Sequence, residues 1–242
     1  MGTERNAAWV ALGALAAYNV AQNTAVSEQR YVPANLAATA ALLAFARRSG
    51  NSWPELGFDS SAVGPGLRLG GQVGLGVAAM SAAALSAQPT RRFLLDDRAN
   101  GHDRTAAMYR AAVRFPLGTA LFEEVAFRGV VEGLWRQRSG PTTARIVSAV
   151  SFGAWHLLPT YRLFPEMAIA TSGARRSERL RAALSGAFVT GLAGVGLSWL
   201  RRRPDSIAAP WLAHAAFNSL FYLAARRAWR IEQRLPRDGR GA

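Results

Sequence analysis

Long stretches without a charged residue alternate with short, arginine-rich stretches along this chain. Six uncharged runs of 16 to 22 residues hold nearly half of the 242 residues; they cover 6–27, 31–46, 69–90, 146–161, 182–200 and 206–225. A run of about 20 apolar residues is long enough to cross the hydrocarbon core of a bilayer as an α-helix. The pattern therefore predicts that each run forms a membrane-spanning helix.

A seventh predicted helix, 109–135, also has the length of a span, but it carries charged residues near its middle. An eighth helix, short or re-entrant, is predicted within 163–173. The spans are rich in Ala and Gly rather than in Leu and Ile, and small residues let membrane helices approach closely. We therefore expect an all-α, polytopic transmembrane bundle of seven to eight helices with an intramembrane polar cavity.

Three regions are expected along the chain. Transmembrane helices and an interfacial segment occupy 1–108, a core with the polar motifs occupies 109–225, and an arginine-rich tail occupies 226–242. The interfacial segment, 49–68, contains several glycines and two prolines, which are typical of loops. The tail is expected to be a solvated helix end followed by disorder.

The composition is basic, and the positions of the charges distinguish a soluble nucleic-acid-binding protein from a membrane protein. The formal net charge is +14, all 29 basic residues are Arg, and the mean hydropathy is +0.04. These values also suit a soluble protein that binds nucleic acid, but the charges here avoid the apolar runs, which excludes that class. The positive-inside rule instead predicts a cytoplasmic C-terminus. The lack of Cys excludes disulfides, a thiolate nucleophile and cysteine-ligated metals.

Four charged residues lie where the seventh helix would cross the membrane: Glu123, Glu124, Arg128 and Glu132. Each charge near a helix centre costs about 3 kcal/mol on insertion scales, so intramembrane charges usually serve a function. Glu124 and Arg128 are four residues apart and are predicted to form a structural ion pair. Glu123 points about 100° away from that pair and is free for chemistry. Glu132, one turn from the predicted helix end, is expected at the interface.

Two further predicted helices carry polar residues in pairs spaced four apart. The sequence FGAWH places Phe152 and His156 on one helix face, and HAAFN does the same for His214 and Asn218. The third histidine, His102, lies in a polar connection and is expected to be incidental. With the unpaired glutamate of the seventh helix, the two other histidines and the asparagine are the candidate catalytic residues.

These residue types leave two mechanisms open. A carboxylate and an imidazole can activate a water molecule, while a second imidazole and a carboxamide donate hydrogen bonds to an oxyanion. Alternatively, Glu123, His156 and His214 are three ligands of a Zn²⁺ ion with an open fourth position. Both arrangements hydrolyse an amide. These residues alone do not separate the two mechanisms.

The ordered set EEVAFR, FGAWH and HAAFN resembles the three signatures of the CPBP family of intramembrane proteases. This family includes CAAX prenyl protease 2 and the bacteriocin-processing, Abi-type proteins. Its signatures are EExxxR, FxxxH and HxxxN, each on its own helix, and all three are present here without substitution. The stretch WPELGF, 53–58, also resembles a segment that often precedes the core in bacterial members.

The resemblance implies a CAAX-protease-like intramembrane endopeptidase, a type often described as a metalloprotease, with its catalytic core in 109–225. Glu123 would be the general base and His156 would assist it. His214 and Asn218 would form the oxyanion hole, and Phe152 would support the motif. We favour the metal-free version, because Asn218 beside His214 suits an oxyanion better than zinc. This version needs no cofactor, and zinc is the cofactor of the alternative.

The expected partners are a peptide or protein substrate and the lipid bilayer, with no nucleic acid. The expected location is a multi-pass position in a bacterial cytoplasmic membrane, since an all-Arg, Ala- and Gly-rich composition suggests a GC-rich genome. The main alternative is a non-catalytic membrane immunity or scaffold protein. A third hypothesis is a proton- or ion-coupled transporter. Inverted repeats in the sequence would favour it, and the sequence shows none.

Overall fold

The computed structural model describes residues 2–96, 99, 101–167 and 176–234, and it contains helices and no strand within those residues. The expected all-α architecture is confirmed. The helices are α1 (Gly2–Thr24), α2 (Glu28–Arg48), α3 (Ser60–Ser86), α4 (Gln88–Arg91), α5 (Arg104–Tyr109), α6 (Leu121–Glu124), α7 (Glu132–Trp155), α8 (Leu157–Met167), α9 (Arg176–Arg202) and α10 (Ala208–Glu232).

Residues 104–139 form one continuous helical segment, which we call the motif helix. It contains α5, α6, the first part of α7 and two π-helical stretches, Arg110–Ala120 and Val125–Val131. π-Helical backbone is rare and often occurs at functional sites. The motif helix ends at Gly140, whose φ of 79° lies in the left-handed region that favours glycine. Residues 141–155 of α7 therefore form a separate helix.

All six uncharged runs coincide largely with helices. By length and composition alone, two of the described helices are apolar enough to cross a membrane, α3 and α9. The predicted eighth helix is not separate where it is described, because residues 163–167 continue α8. Residues 168–173 of that prediction lie outside the described part of the chain.

Two other predictions differ from the structure. α3 begins at Ser60, inside the predicted interfacial segment, because Asp59 caps it: its Oδ1 accepts a hydrogen bond from the Ser61 N–H at 2.9 Å. Pro65 lies inside this helix, beyond its first turn, and therefore lacks the N–H that would donate to the Ser61 carbonyl. The predicted solvated tail is also wrong at its start. Arg226 is buried within α10, and its guanidinium donates to the Ala99 carbonyl at 2.8 Å.

Small residues lie where the helices approach one another. A Cβ on Gly70 of α3 would come within 2.7 Å of the Ala209 carbonyl oxygen on α10. Further along the same two helices Gly74 faces Ala216, so α3 and α10 run parallel. The largest cluster of buried apolar residues surrounds the centre of the motif helix, which holds the polar motif in the interior.

We expect Gly70→Ala to lower the thermal unfolding temperature, because the added methyl group would force α3 away from α10. The matched control is Gly76→Ala on the same helix, where a Cβ would meet nothing within 4 Å. Thermal unfolding of both purified variants in one detergent measures the effect. Equal unfolding temperatures for the two variants would contradict this close approach.

Candidate active site

Glu123 and Glu124 are neighbours on α6 but have different partners. Both side chains are buried, with 5% and 0% of the residue surface exposed. Consecutive helical residues point about 100° apart, so the two carboxylates enter different parts of the bundle.

Glu124 connects the motif helix to α10. Its Oε1 accepts a hydrogen bond from Arg128 Nη1 at 3.1 Å and another from His214 Nδ1 at 2.7 Å. The Arg128 guanidinium lies over the Phe152 ring, 4.0 Å from its centroid, a favourable cation–π geometry. The pair expected from the spacing is therefore part of a larger group that includes a histidine and an aromatic ring from two other helices.

Glu123 has one anchored oxygen and one that faces the histidines. Its Oε1 accepts a hydrogen bond from Trp155 Nε1 at 3.1 Å. Its Oε2 has no hydrogen-bond partner among the described residues. That oxygen lies 4.0 Å from His156 Nε2 and 3.8 Å from His214 Nε2. One water molecule can bridge polar atoms at such separations.

Both histidines have Nδ1 hydrogen-bonded to an oxygen. His156 Nδ1 lies 2.8 Å from the Phe152 carbonyl oxygen, and His214 Nδ1 lies 2.7 Å from Glu124 Oε1. Because carbonyl and carboxylate oxygens only accept, each Nδ1 carries a proton. In the neutral tautomer each Nε2 therefore has a free lone pair on the side of Glu123.

A cavity of about 900 Å³ reaches this group. Glu123, His156 and Asn218 line it, whereas His214 lies behind the wall, next to Glu123. Within the described part of the chain the Asn218 side chain makes no hydrogen bond. His102, expected to be incidental, lines the same cavity. Other parts of the wall are aromatic or basic and include Phe115, Phe217, Phe221, Tyr222, Arg110 and Arg114.

Trp155 is the site residue that the sequence did not reveal. It donates to Glu123, it is 7% exposed, and its own carbonyl accepts a hydrogen bond from the Asn19 side chain at 2.9 Å. Its position inside FGAWH, next to His156, is the feature of the sequence that could have identified it as a site residue. Tryptophan is common at membrane interfaces, and that preference hid its role here.

A family model described as "Type II CAAX prenyl endopeptidase Rce1-like" matches residues 106–220. This stretch contains all three motifs. This match, over a little less than half of the chain, supports the CPBP/CAAX protease family. Rce1-like proteins are membrane-embedded proteases, and the match supports an activity of the CAAX endopeptidase type. Comparisons with curated proteins and with solved structures found no match.

Glu132, predicted to lie one turn from a helix end, is instead buried against α9. It is 9% exposed and lies beside Ser198 and Arg201 of α9. The motif helix continues to residue 139, past the predicted end at 135, and therefore Glu132 is not near a helix end. Arg201 is itself only 3% exposed.

The turn at 51–57 covers this end of the motif helix. The guanidinium groups of Arg136 and Arg201 both donate to the Glu55 carbonyl oxygen at 3.0 Å. The Glu55 carboxylate accepts from the Ser52 N–H and hydroxyl at 2.6 and 2.8 Å, and these hydrogen bonds lower the pKa of Glu55. The segment that resembles the bacterial family members, 53–58, thus packs on the far end of the motif helix.

Glu123, His156 and His214 have side chains that can bind zinc, but their ligand atoms lie farther apart than in a tetrahedral zinc site. Glutamate and two histidines are suitable ligands, and each Nδ1 is held by an oxygen, as in zinc sites. Tetrahedral zinc with bonds of about 2.0–2.1 Å would bring ligand atoms to about 3.3 Å from one another. Glu123 Oε2 is 3.8 and 4.0 Å from the two Nε2 atoms, and no trio of metal-binding side chains among the described residues is close enough to hold a metal.

We expect Glu124→Gln to destabilise the protein strongly, because it leaves the buried Arg128 guanidinium without its closest carboxylate. Breaking a buried ion pair costs about 3–5 kcal/mol, whereas an exposed pair contributes about 0–1 kcal/mol. The control is Glu28→Gln, which removes the part-exposed pairs to Arg110 and Arg114. Chemical unfolding in detergent compares the free energies of unfolding. Similar losses in both variants would contradict the structural role of Glu124.

Proposed function

We propose that this chain hydrolyses a peptide bond in or near the membrane with a water molecule that Glu123 activates. The supporting observation is the Glu123 Oε2 atom, which has no hydrogen-bond partner among the described residues and lies about 4 Å from two imidazole Nε2 atoms. Glu123 is one of the residues that line the large cavity, which brings a bound substrate close to its carboxylate. A buried carboxylate beside imidazoles is suited to general base catalysis.

In the proposed reaction the attacking water lies between Glu123 and His156. Glu123 Oε2 takes a proton from the water while the water oxygen adds to the carbonyl carbon of the substrate. His156 Nε2, with its free lone pair, accepts a hydrogen bond from the second O–H and so orients the water. When the tetrahedral intermediate collapses, the proton passes to the leaving amine, which leaves the carboxylate ready for another cycle.

The oxyanion receives its hydrogen bonds from Asn218 and His214. The Asn218 amide is on the cavity wall and makes no competing hydrogen bond within the described residues. His214 can donate from Nε2 once that nitrogen is protonated, and the Glu124 carboxylate on its Nδ1 side stabilises the resulting imidazolium. Glu124 thereby orients His214 and stabilises its positive charge, as the buried aspartate of a serine protease triad does for the catalytic histidine.

The residues of the cavity wall favour a substrate that has an apolar stretch beside the cleaved bond. Aromatic side chains from the motif helix and α10 form much of that wall, and arginines interrupt it. A peptide that lies at a membrane surface has this mixed character. The proposal therefore extends to membrane-associated peptides or proteins, and the protein is expected to cross a bacterial cytoplasmic membrane several times.

We expect Glu123→Ala to abolish cleavage in cells, since no other buried carboxylate lines the cavity beside a histidine within the described residues. Comparative membrane proteomics of cells with wild-type protein and with this variant would show uncut substrates accumulating only in the variant. The control is Glu232→Gln, which removes a carboxylate that pairs with Arg91 away from the site. Identical peptide patterns in wild type and Glu123→Ala, with the variant folded and inserted, would instead favour a non-catalytic immunity or scaffold protein.

We also expect the purified, active protein to contain no stoichiometric zinc. The distances from Glu123 Oε2 to the two imidazole Nε2 atoms are about half an ångström longer than the distance between two ligand atoms of tetrahedral zinc. Elemental analysis of wild type beside a His156→Ala variant provides the measurement. The metal-free mechanism would be contradicted if the wild type contained one zinc per chain and the variant lost both the zinc and the activity. That result would support the zinc-dependent mechanism.

A further inference from the structure

A second cavity, of about 270 Å³, lies between the start of the motif helix and the end of α10. Four arginines line it together with three apolar residues; the full lining is Arg104, Ala107, Met108, Leu223, Arg226, Arg227 and Arg230. None of these residues lines the catalytic cavity. Along α10, Arg226 is three turns from His214, roughly 18 Å.

The arginines of this cavity lack carboxylate partners. Arg226 is buried and donates to the carbonyl oxygens of Ala99 and Asp103 at 2.8 and 3.4 Å, which fixes its guanidinium. Arg104, Arg227 and Arg230 are exposed and form no ion pair with another described residue. The cavity therefore concentrates four positive charges with no compensating anion among the described side chains.

The position of the cavity relative to the apolar spans indicates a membrane surface. α3 is apolar enough to cross a membrane, and it runs parallel to α10. Its end is level with the end of α10, because Ala84 and Leu85 pack in one cluster with Ala228. The arginines of α10 thus lie where an apolar span ends, which is the depth of the lipid headgroups.

Apolar side chains complete one wall of the cavity. Met108 and Leu223 are 52% and 36% exposed, so their side chains remain accessible beside the arginines. A ligand that fits both parts combines a phosphate with a hydrocarbon chain. Arginine binds phosphate through paired N–H donors, and basic pockets between membrane helices bind anionic headgroups.

We propose that this cavity binds the phosphate headgroup of an anionic phospholipid, with the acyl chain against Met108 and Leu223. Free phosphate shares the headgroup chemistry but leaves the apolar wall uncovered. Bound lipid would join the start of the motif helix to the end of α10. The binding does not depend on peptide hydrolysis, so its test and the test of the catalytic proposal succeed or fail separately.

The test uses the delipidated, purified full chain in a neutral detergent. Phosphatidylglycerol is titrated in and its apparent affinity is measured from the shift in thermal unfolding temperature and from bound lipid in native mass spectrometry. Phosphatidylcholine and inorganic phosphate form the two other arms. The variant replaces Arg104, Arg227 and Arg230 by Gln, and it leaves the buried Arg226 intact so that the fold is kept.

The control variant replaces Arg48, Arg202 and Arg203 by Gln, three exposed arginines at the opposite end of the bundle. It removes the same net charge. Near a membrane surface each arginine strengthens the attraction to anionic lipid, and we expect the triple variant to bind phosphatidylglycerol roughly a hundredfold more weakly, with the control unchanged.

Three results would overturn the proposal. Equal weakening in the control variant would mean a general charge effect. Equal binding of phosphatidylcholine would mean that the arginines do not select the headgroup. An equal stabilisation by inorganic phosphate at the same concentration would mean a free-anion site instead of a lipid site.

Discussion

The hydrogen bonds that Glu124 Oε1 accepts from Arg128 and His214 are the contacts on which the rest of the site depends. One buried oxygen joins the motif helix to α10, and the Arg128 guanidinium extends the connection to Phe152. An unpaired charge in this interior would be very unfavourable, so the three helices are constrained to one arrangement. In that arrangement Glu123, on the adjacent position, is directed toward the cavity and the histidines.

In the proposed mechanism the two adjacent glutamates therefore have different roles, since Glu124 is structural and Glu123 is the general base. Glu124 is fully buried, and its Oε1 accepts hydrogen bonds from Arg128 and His214. Each glutamate has one oxygen without a hydrogen-bond partner among the described residues, and that of Glu123 faces two imidazole Nε2 atoms. Trp155 holds the other oxygen of Glu123, which fixes the carboxylate without occupying its reactive side. Positioned groups of this kind lower a reaction barrier because little reorganisation is needed when the water attacks.

The sequence predicted the parts of this site that follow from local helix geometry. The spacing of four residues places Arg128 near Glu124, and the uncharged runs predict the helices. Contacts between distant residues could not be read in this way: His214 is 90 residues from Glu124, and Trp155 is 32 residues from Glu123. The burial of Glu132 could not be predicted for the same reason, because Ser198 and Arg201 of α9 lie beside it and are distant in sequence.

The most direct test of the central claim is the turnover rate of Glu123→Gln in a bilayer, with a substrate identified in cells. Glutamine keeps the shape of the side chain and an oxygen that can accept from Trp155, but it cannot take a proton from water. Loss of a general base lowers rates by about 10²–10⁴-fold. The account predicts a loss of at least this order with an unchanged unfolding temperature, and a rate within a few-fold of wild type would contradict it.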